Sequence, residues 1–437
     1  MQYPETSLKK SASPVYLVDG ARTPFLKARG KPGPFSPVDL AVQCGRDLLL
    51  RQPIPETDYD QVILGCVNVP SDEMNPARIA ALRLGLDEKI PAYTVQINCG
   101  SGMQSIDNAF RAIRSGESDL VLAGGAEALS RAPLLLKQEA AEWLADLQQT
   151  DRPQDYVKKL AEFSPGLFKP VLGLQQGLTD PIVELGMGQT AEIVAHLFNV
   201  SRKAADEYAV NSHHRLAKAQ EEGWLDAEIS AAFDREGKLY QQDDGVRPDT
   251  TAESLAELSP VFEKPYGKVT AGNSSQVTDG ACWTLLASEQ ALKKYGLEPL
   301  AVLVDSEWSA LDPAIMGLGP VISSTRLLQR QRMNIHDIDL WEINEAFAAQ
   351  VLSCLEAWQD PDFCKQALGL EAPPGAPDRE HLNVDGGAIS LGHPVGTSGN
   401  RIVLHLAHAM ERLDKQQGVA TECIGGGQSG AMLLQRA

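Results

Sequence analysis

The chain has 437 residues, 43% hydrophobic and 22% charged, a globular composition with more residues than one ordinary core holds, so two or three domains are expected. Its formal net charge of −19 argues against nucleic acid as a partner, which needs basic surface, and leaves any anionic substrate to local basic groups. Seven cysteines without a C-x-x-C pair or zinc-finger spacing point to no disulfide framework and no metal, and suit a reducing compartment.

Residues 1–14 carry Lys9 and Lys10 with no apolar run behind them, so no secretory signal is expected. No apolar segment approaches the roughly 20 residues that span a bilayer. A cytoplasmic location without a transmembrane segment is the expectation.

In chain order, Val15 to Asp19 reads as a strand, Val38 to Leu50 as a helix and Asp60 to Gly65 as a second, buried strand. Asn75 and Pro76 open a helix through Leu84, as N-cap and first-turn proline. Ala92 to Ile97 is a strand, and Met103, Ile106, Phe110 and Ile113 follow at helical spacing. Ser118 to Ala123 is a strand ending in Gly124-Gly125-Ala126-Glu127. Between about 132 and 265 the texture changes to a loop-rich insertion, with one convincing helix capped by Ser201 and running to Gly223. Strand–helix alternation resumes from Lys268, with strands at Pro299 to Trp308 and Ile338 to Ile343, a polar Pro-rich insertion from Pro361 to Arg379, a helix from Ser398, and a last strand pair turning around Cys423 to Gln428. Such alternation predicts an α/β fold on a mostly parallel, buried sheet.

The chain is organised around Asn98-Cys99-Gly100-Ser101-Gly102. Cys99 stands where a strand hands over to a helix, and helix N-termini lower a thiol's pKa. Gly100 and Gly102 permit close approach there. The order strand, Cys99, helix, strand, glycine run in the first half is echoed by strand, His393, helix, strand, glycine run in the second. If the halves are duplicates, Cys99 and His393 hold equivalent corners and a pseudo-twofold brings them together.

Cys99, His393 and Cys423 then read as one device. A thiolate nucleophile needs a neutral imidazole as base, and a second cysteine can exchange a proton with the α-carbon of a thioester. The glycines after Cys423, the Cys99 N–H, Asn344 and the His393 ring are candidate donors to an oxyanion. Each signal has a plainer reading: a buried thiol, a His-Pro turn, a cysteine at a tight bend, an Asn N-cap. All four fall at strand ends facing helices, where open α/β sheets place ligands. His213 and His214 are expected to be surface or half-buried polar groups, and His196, His405 and His408 need no role. Arg22, Arg78 and Arg131 are expected to be structural charges, and Cys44, Cys66, Cys282, Cys354 and Cys364 packing or surface thiols.

The strings Ile97-Asn98-Cys99-Gly100-Ser101-Gly102, Met187-Gly188-Gln189-Thr190-Ala191-Glu192, Val269-Thr270-Ala271-Gly272-Asn273-Ser274-Ser275, Met316-Gly317-Leu318-Gly319-Pro320, Asn344-Glu345-Ala346-Phe347, Gly392-His393-Pro394 and Cys423-Ile424-Gly425-Gly426-Gly427 resemble the thiolase family, in family order from about residue 15 to the end. The resemblance implies a five-layered αβαβα fold of two duplicated halves, 1–131 with 276–298 and 299–437, and an inserted loop domain, 132–275, that binds coenzyme A. It implies Cys99 as acylated nucleophile, His393 as its base, Cys423 as acid/base, Asn344 holding a water that shares the thioester oxygen with His393, and the N–H groups of Cys99 and Gly425 as a second oxyanion hole. Ser275, Ala271, Met187, Met316 and Phe347 match positions lining the pantetheine and acyl pocket, and Arg247 one near the adenine.

The implied reaction is thiolysis of 3-ketoacyl-CoA, with coenzyme A as substrate and no permanently bound cofactor or metal. Gly186 replaces the histidine common in acetoacetyl-type enzymes, and Gln428-Ser429-Gly430 stands where Gln-Gly is usual. The long 133–180 segment and the 361–379 insertion look more like the thiolase subunit of β-oxidation trifunctional complexes, which implies a homodimer or homotetramer with a hydratase/dehydrogenase subunit as a further partner. The rivals are a short-chain acetoacetyl-CoA thiolase, a decarboxylating ketosynthase, and a non-catalytic CoA- or lipid-binding subunit.

Overall fold

The computed structural model describes residues 13–437; the reading of 1–12 as free of a secretory signal lies outside them. The first half contributes β1 (Val15–Arg22), α1 (Pro37–Leu50), β2 (Gln61–Gly65), α2 (Pro76–Arg83), β3 (Ala92–Val95), α3 (Ser101–Ser115) and β4 (Leu120–Ala128). The insertion holds α4 (Gln138–Gln148), α5 (Pro153–Ala161), α6 (Met187–Leu197) and α7 (Arg202–Glu221), and β5 (Thr278–Ser288) returns to the first half. The second half follows with β6 (Ala301–Ala310), α8 (Gly319–Gln331), β7 (Leu340–Ile343), α9 (Ala348–Ala357), α10 (Val395–Arg412), β8 (Gln417–Ile424) and β9 (Gln428–Arg436).

The strands pair in the order β7-β8-β9-β6-β1-β5-β4-β2-β3, and the halves join where Val15, Tyr16 and Leu17 meet Leu303, Val302 and Ala301. The first half reads β3-β2-β4-β5-β1. In the second, Leu382 bridges in parallel to Trp341 of β7 and takes the place of β3, giving Leu382-β7-β8-β9-β6. Numbered within each half the order is the same, third-second-fourth-fifth-first, and α3 and α10 both connect third to fourth. The duplication read from the motifs is therefore present in the topology.

One expectation fails. The sheet is mixed: β2 runs parallel to β3 and β4, and β7 to β8, but β1–β5, β4–β5, β1–β6, β6–β9 and β8–β9 are antiparallel. The reason is that β9 returns from β8 by a tight turn and β5 returns only after the insertion, so neither follows a right-handed helical crossover.

Three clusters divide the core. One packs α1 and α2 on the outer face of the first half. A second packs α6, α8 and α9 against the outer face of the second half. Between the halves lie Met103, Ile106, Phe110 and Ile113 of α3 with Ile402, Leu404 and Leu406 of α10, touching strands of both. Helix, sheet, helix, sheet, helix is the five-layered arrangement. The stripe read on α3 is that central packing face, and Gly116, at φ 79°, ends the helix in the left-handed conformation glycine permits.

The Pro361–Arg379 stretch, expected as an irregular insertion, contains a helix at Pro361–Leu368 started by Asp360, whose side chain caps Phe363 N–H. Among the described residues no helix is long and apolar enough to cross a membrane.

Candidate active site

Both central helices begin at the site. Cys99 is half-buried two residues before α3, Cys423 is 1% exposed near the end of β8, and His393 is 8% exposed two residues before α10. Asn98 donates from Nδ2 to the Gly425 carbonyl at 2.8 Å, tying the Cys99 loop to the turn after Cys423. Cys99, Asn98, Met187, Gly425 and Gly426 line one cavity of about 610 Å³.

His393 is oriented from two sides. Its backbone N–H donates to Gln276 O at 2.9 Å, and its Nδ1 lies 2.6 Å from Ser398 Oγ. Ser398 Oγ also contacts the Pro394 carbonyl at 3.3 Å. A carbonyl can only accept, so in the tautomer where the hydroxyl proton goes to Pro394, Ser398 accepts Nδ1–H. Nε2 then carries the free lone pair, as a base must, and it is buried without a partner among the described residues.

Asn344 stands beside the ring, with Nδ2 3.5 Å from Nδ1 and Oδ1 buried and unpartnered. Buried polar atoms are normally satisfied. Two such atoms on neighbouring side chains can both take a hydrogen bond from or to a substrate or water.

The segment after Asn344 is fixed from behind. Glu345 accepts from Tyr208 at 3.0 Å, Ser212 at 2.7 Å, Asn383 at 2.9 Å and Ile389 N–H at 3.2 Å. Asn344–Phe347 is thus a pinned loop, and α9 begins only at Ala348. Phe347, Met187 and Met316 pack with Cys423 and Ala346. Ser275 N–H donates to Ala346 O at 3.0 Å, placing Ser275 between this loop and His393. Ala271 is exposed and Arg247 half-buried, and neither lines the Cys99 cavity.

The electrostatics differ from expectation at Cys99. Burial pushes its thiol up to about 12, the Glu422 carboxyl acts in the same direction, and the N–H groups of Gly425 and Cys99 oppose them. The predicted lowering does not occur in the free protein, because the cost of burying a thiolate exceeds what the helix terminus returns. Cys423 is raised well above the usual thiol range by burial, then by Cys99 and Cys354. Cys99 is thus one of the groups near enough to act on Cys423. Burial, reinforced by Arg401, lowers His393 to about 4, so its ring is neutral at pH 7.

Other residues correct or complete the reading. His213 is 1% exposed rather than superficial, and its Nδ1 accepts from Arg247 N–H at 3.1 Å. His405 is buried among charges: Glu228 at 3.0 Å and Asp385 at 3.3 Å. Arg22 is a structural charge, paired with Glu228 at 2.7 Å and Asp243 at 2.8 Å. Glu127, which ends the glycine-rich string Gly124-Gly125-Ala126-Glu127 that also resembles the thiolase family, accepts from Val67, Asn68 and Gly396 N–H at 3.0–3.1 Å and holds the start of α10 against the first half. Ser398 and Glu127 were not singled out by the sequence reading, because a serine inside a helix and a glutamate ending a strand have commoner explanations.

Residues 15–290 match the family model for the thiolase N-terminal domain and 297–436 that for the thiolase C-terminal domain. The chain is 38% identical over 427 residues to the 3-oxoadipyl-CoA/3-oxo-5,6-dehydrosuberyl-CoA thiolase of Escherichia coli, covering 96% of this chain and 99% of that protein. It is 34% identical to the mitochondrial trifunctional enzyme subunit beta of Bos taurus, covering 99% and 90%. Human mitochondrial 3-ketoacyl-CoA thiolase superposes with a TM-score of 0.83 at 36% identity, covering 98% of this chain and 100% of that one. With both halves matched and such relatives aligned almost end to end, this chain belongs to the thiolase family of acyltransferases.

Proposed function

We propose that the chain cleaves 3-ketoacyl-CoA with coenzyme A by ping-pong acyl transfer through Cys99. His393 Nε2 takes the Cys99 proton, and the sulfur attacks the 3-keto carbon. The bond between C2 and C3 breaks, the acyl group stays on Cys99, and the acetyl-CoA enolate takes its proton at C2 from Cys423. The thiol of coenzyme A then gives its proton to Cys423 and attacks the acyl carbon, releasing a shortened acyl-CoA and the Cys99 thiolate, which takes its proton back from His393.

Burial disfavours thiolate and imidazolium taken separately, but a proton moved between them leaves a pair whose charges offset each other. In this reading the N–H groups of Cys99 and Gly425 share the oxyanion of the tetrahedral adduct on Cys99, and a water on Asn344 with His393 binds the thioester oxygen. One set of observations supports this reading above others: Cys99 lines a cavity and acts electrostatically on Cys423, and His393 Nε2 and Asn344 Oδ1, on neighbouring side chains, are buried without partners among the described residues. The presence of Cys423 also favours thiolysis over a decarboxylating ketosynthase.

Coenzyme A as substrate is assigned to the 132–275 insertion, with Met187, Met316, Phe347 and Ser275 near the thioester and Ala271 and Arg247 further out. A role in fatty-acid β-oxidation, a cytoplasmic location, a homodimer or homotetramer, and association with a hydratase/dehydrogenase subunit belong to the same proposal.

The test is cleavage of acetoacetyl-CoA by the purified chain, with intact mass after one turnover. Wild type should gain an acetyl group and Cys99→Ser should not. Cys423→Ala should still acylate yet lose deuterium exchange at the methyl group of acetyl-CoA. Acylation surviving in the Cys99 variant would refute the assignment.

A further inference from the structure

Three kinds of named relative bear on substrate choice: thiolases of 3-oxoadipyl-CoA, whose acyl tail ends in a carboxylate, acetyl-CoA acyltransferases, and a trifunctional-enzyme subunit. The walls of the Cys99 cavity distinguish these classes. Leu129, Leu174, Leu178, Ile182 and Val395 supply apolar surface there, and Asn68, Gln96 and Asn98 supply neutral polar groups.

Among the described residues Asp180 is the single charged one lining that cavity, and it is 3% exposed. Its position is fixed: Oδ1 accepts from Ile182 N–H at 2.8 Å and Val183 N–H at 3.1 Å, and its own N–H donates to Leu185 O at 2.8 Å. The adjoining cavity of about 840 Å³ shares the walls formed by Leu129, Ala132, Leu174 and Leu178, and carries Lys31 together with Glu184, so it offers no net positive charge.

A substrate carboxylate entering the Cys99 cavity would lose water, meet no cation, and lie within one small volume of a fixed negative charge. Two like charges about 7 Å apart at an effective dielectric near 20 repel by enough to change binding on the order of tenfold or more. The net charge of −19 adds to this rather than relieving it.

We infer that this thiolase takes 3-ketoacyl groups with uncharged, apolar tails, and that Asp180 is the residue that turns away tails ending in a carboxylate. The inference rests on the proposed acyl transfer at Cys99 and narrows its substrate class.

The experiment compares kcat/KM for acetoacetyl-CoA, 3-oxooctanoyl-CoA and 3-oxoadipyl-CoA in wild type, Asp180→Asn and Ile182→Lys. Acetoacetyl-CoA reports thiolase activity alone, so its loss would indict the acyl-transfer reading instead. Wild type should prefer 3-oxooctanoyl-CoA over 3-oxoadipyl-CoA by about tenfold or more. Asp180→Asn keeps the oxygen that accepts from Ile182 and Val183, and should raise the 3-oxoadipyl-CoA value at least about threefold while 3-oxooctanoyl-CoA stays within about twofold. Ile182→Lys changes only an exposed side chain on the same wall, keeps the backbone N–H that donates to Asp180, and should also raise 3-oxoadipyl-CoA. Equal use of both tails by wild type, or an Asp180→Asn change that moves both alike, would overturn it.

Discussion

The side-chain amide of Asn98 and the backbone carbonyl of Gly425, 327 residues apart in sequence, are joined by a 2.8 Å hydrogen bond. The bond fixes the nucleophile's loop to the turn that follows Cys423, so the two halves of the duplicated fold are registered at the site itself. Asn98 holds φ 45°, a left-handed conformation that asparagine tolerates better than most side chains.

Two variants separate the bond from the conformation. Asn98→Gly keeps the backbone accessible but loses the amide, while Asn98→Ala adds strain. A lost hydrogen bond of about 1 kcal/mol expressed in the transition state slows acylation roughly fivefold. Single-turnover acylation should therefore fall for Asn98→Gly and further for Asn98→Ala, with KM little changed. Wild-type acylation in both would mean the clamp does not position Cys99.

The raised Cys99 thiol predicts a pH signature. With burial holding its pKa up to about 12, the thiolate fraction of the free enzyme is small at pH 7 and grows about tenfold per pH unit. Alkylation of Cys99 by iodoacetamide should climb steadily from pH 7 to 10 without levelling. A plateau already reached near pH 7 would show that a thiolate–imidazolium pair exists before substrate arrives.

The discrepancy at Cys99 shows what a sequence conveys about this molecule. Period-three-and-four spacing from Met103 to Ile113 and the repeated glycine-bounded motifs are local, and both helix and duplication were legible. Asn344 and Cys423 could be picked out because they sit at strand ends, and Cys99 because a strand hands over to a helix there; His393, expected at a strand end too, instead follows a short helical turn at Ala388–Leu391. Two things were hidden because they are made by tertiary packing: the antiparallel return of β5 after a long insertion, and the burial that reverses the expected thiol shift. Glu345 illustrates the limit. Four partners, from residue 208 to residue 389, explain why the Asn344 loop is rigid, and no spacing announces them.

His405 predicts how stability follows pH. Its ring lies between Glu228 and Asp385, and although burial opposes the charge these carboxylates raise its pKa to about 10. In the unfolded chain the value is about 6.5. A raised folded value gives stability that is complete below about pH 6.5 and is lost as pH rises through 10. Removing the imidazolium also leaves Glu228 and Asp385 facing each other with fewer cations, a cost on the order of a few kcal/mol. His405→Gln should therefore lower Tm most near pH 6, and the gap should narrow between pH 7 and 10. A gap independent of pH would mean the ring is neutral in the folded protein.

Gly102 tests the central layer. A Cβ built there would lie 2.8 Å from Asn400 N and 3.0 Å from the carbonyl oxygens of Gly396 and Thr397, all backbone atoms of α10. Side chains can rotate away from such a clash, but the backbone of a helix buried between two sheets cannot. Gly102→Ala must therefore push α3 and α10 apart, and overpacking of this kind costs about 1–3 kcal/mol. Gly425 is the control, since a Cβ there meets only the Met187 Sδ at 3.3 Å, the far part of a flexible side chain, and the Asn98 Nδ2 at 3.7 Å, an ordinary contact. Urea midpoints should thus fall clearly for Gly102→Ala and little for Gly425→Ala. Because both helices begin at the site, Gly102→Ala should also lower kcat in whatever fraction still folds. Equal midpoints for the two variants would show that the helix pair has room to part and that its close contact does not set the geometry of Cys99 and His393.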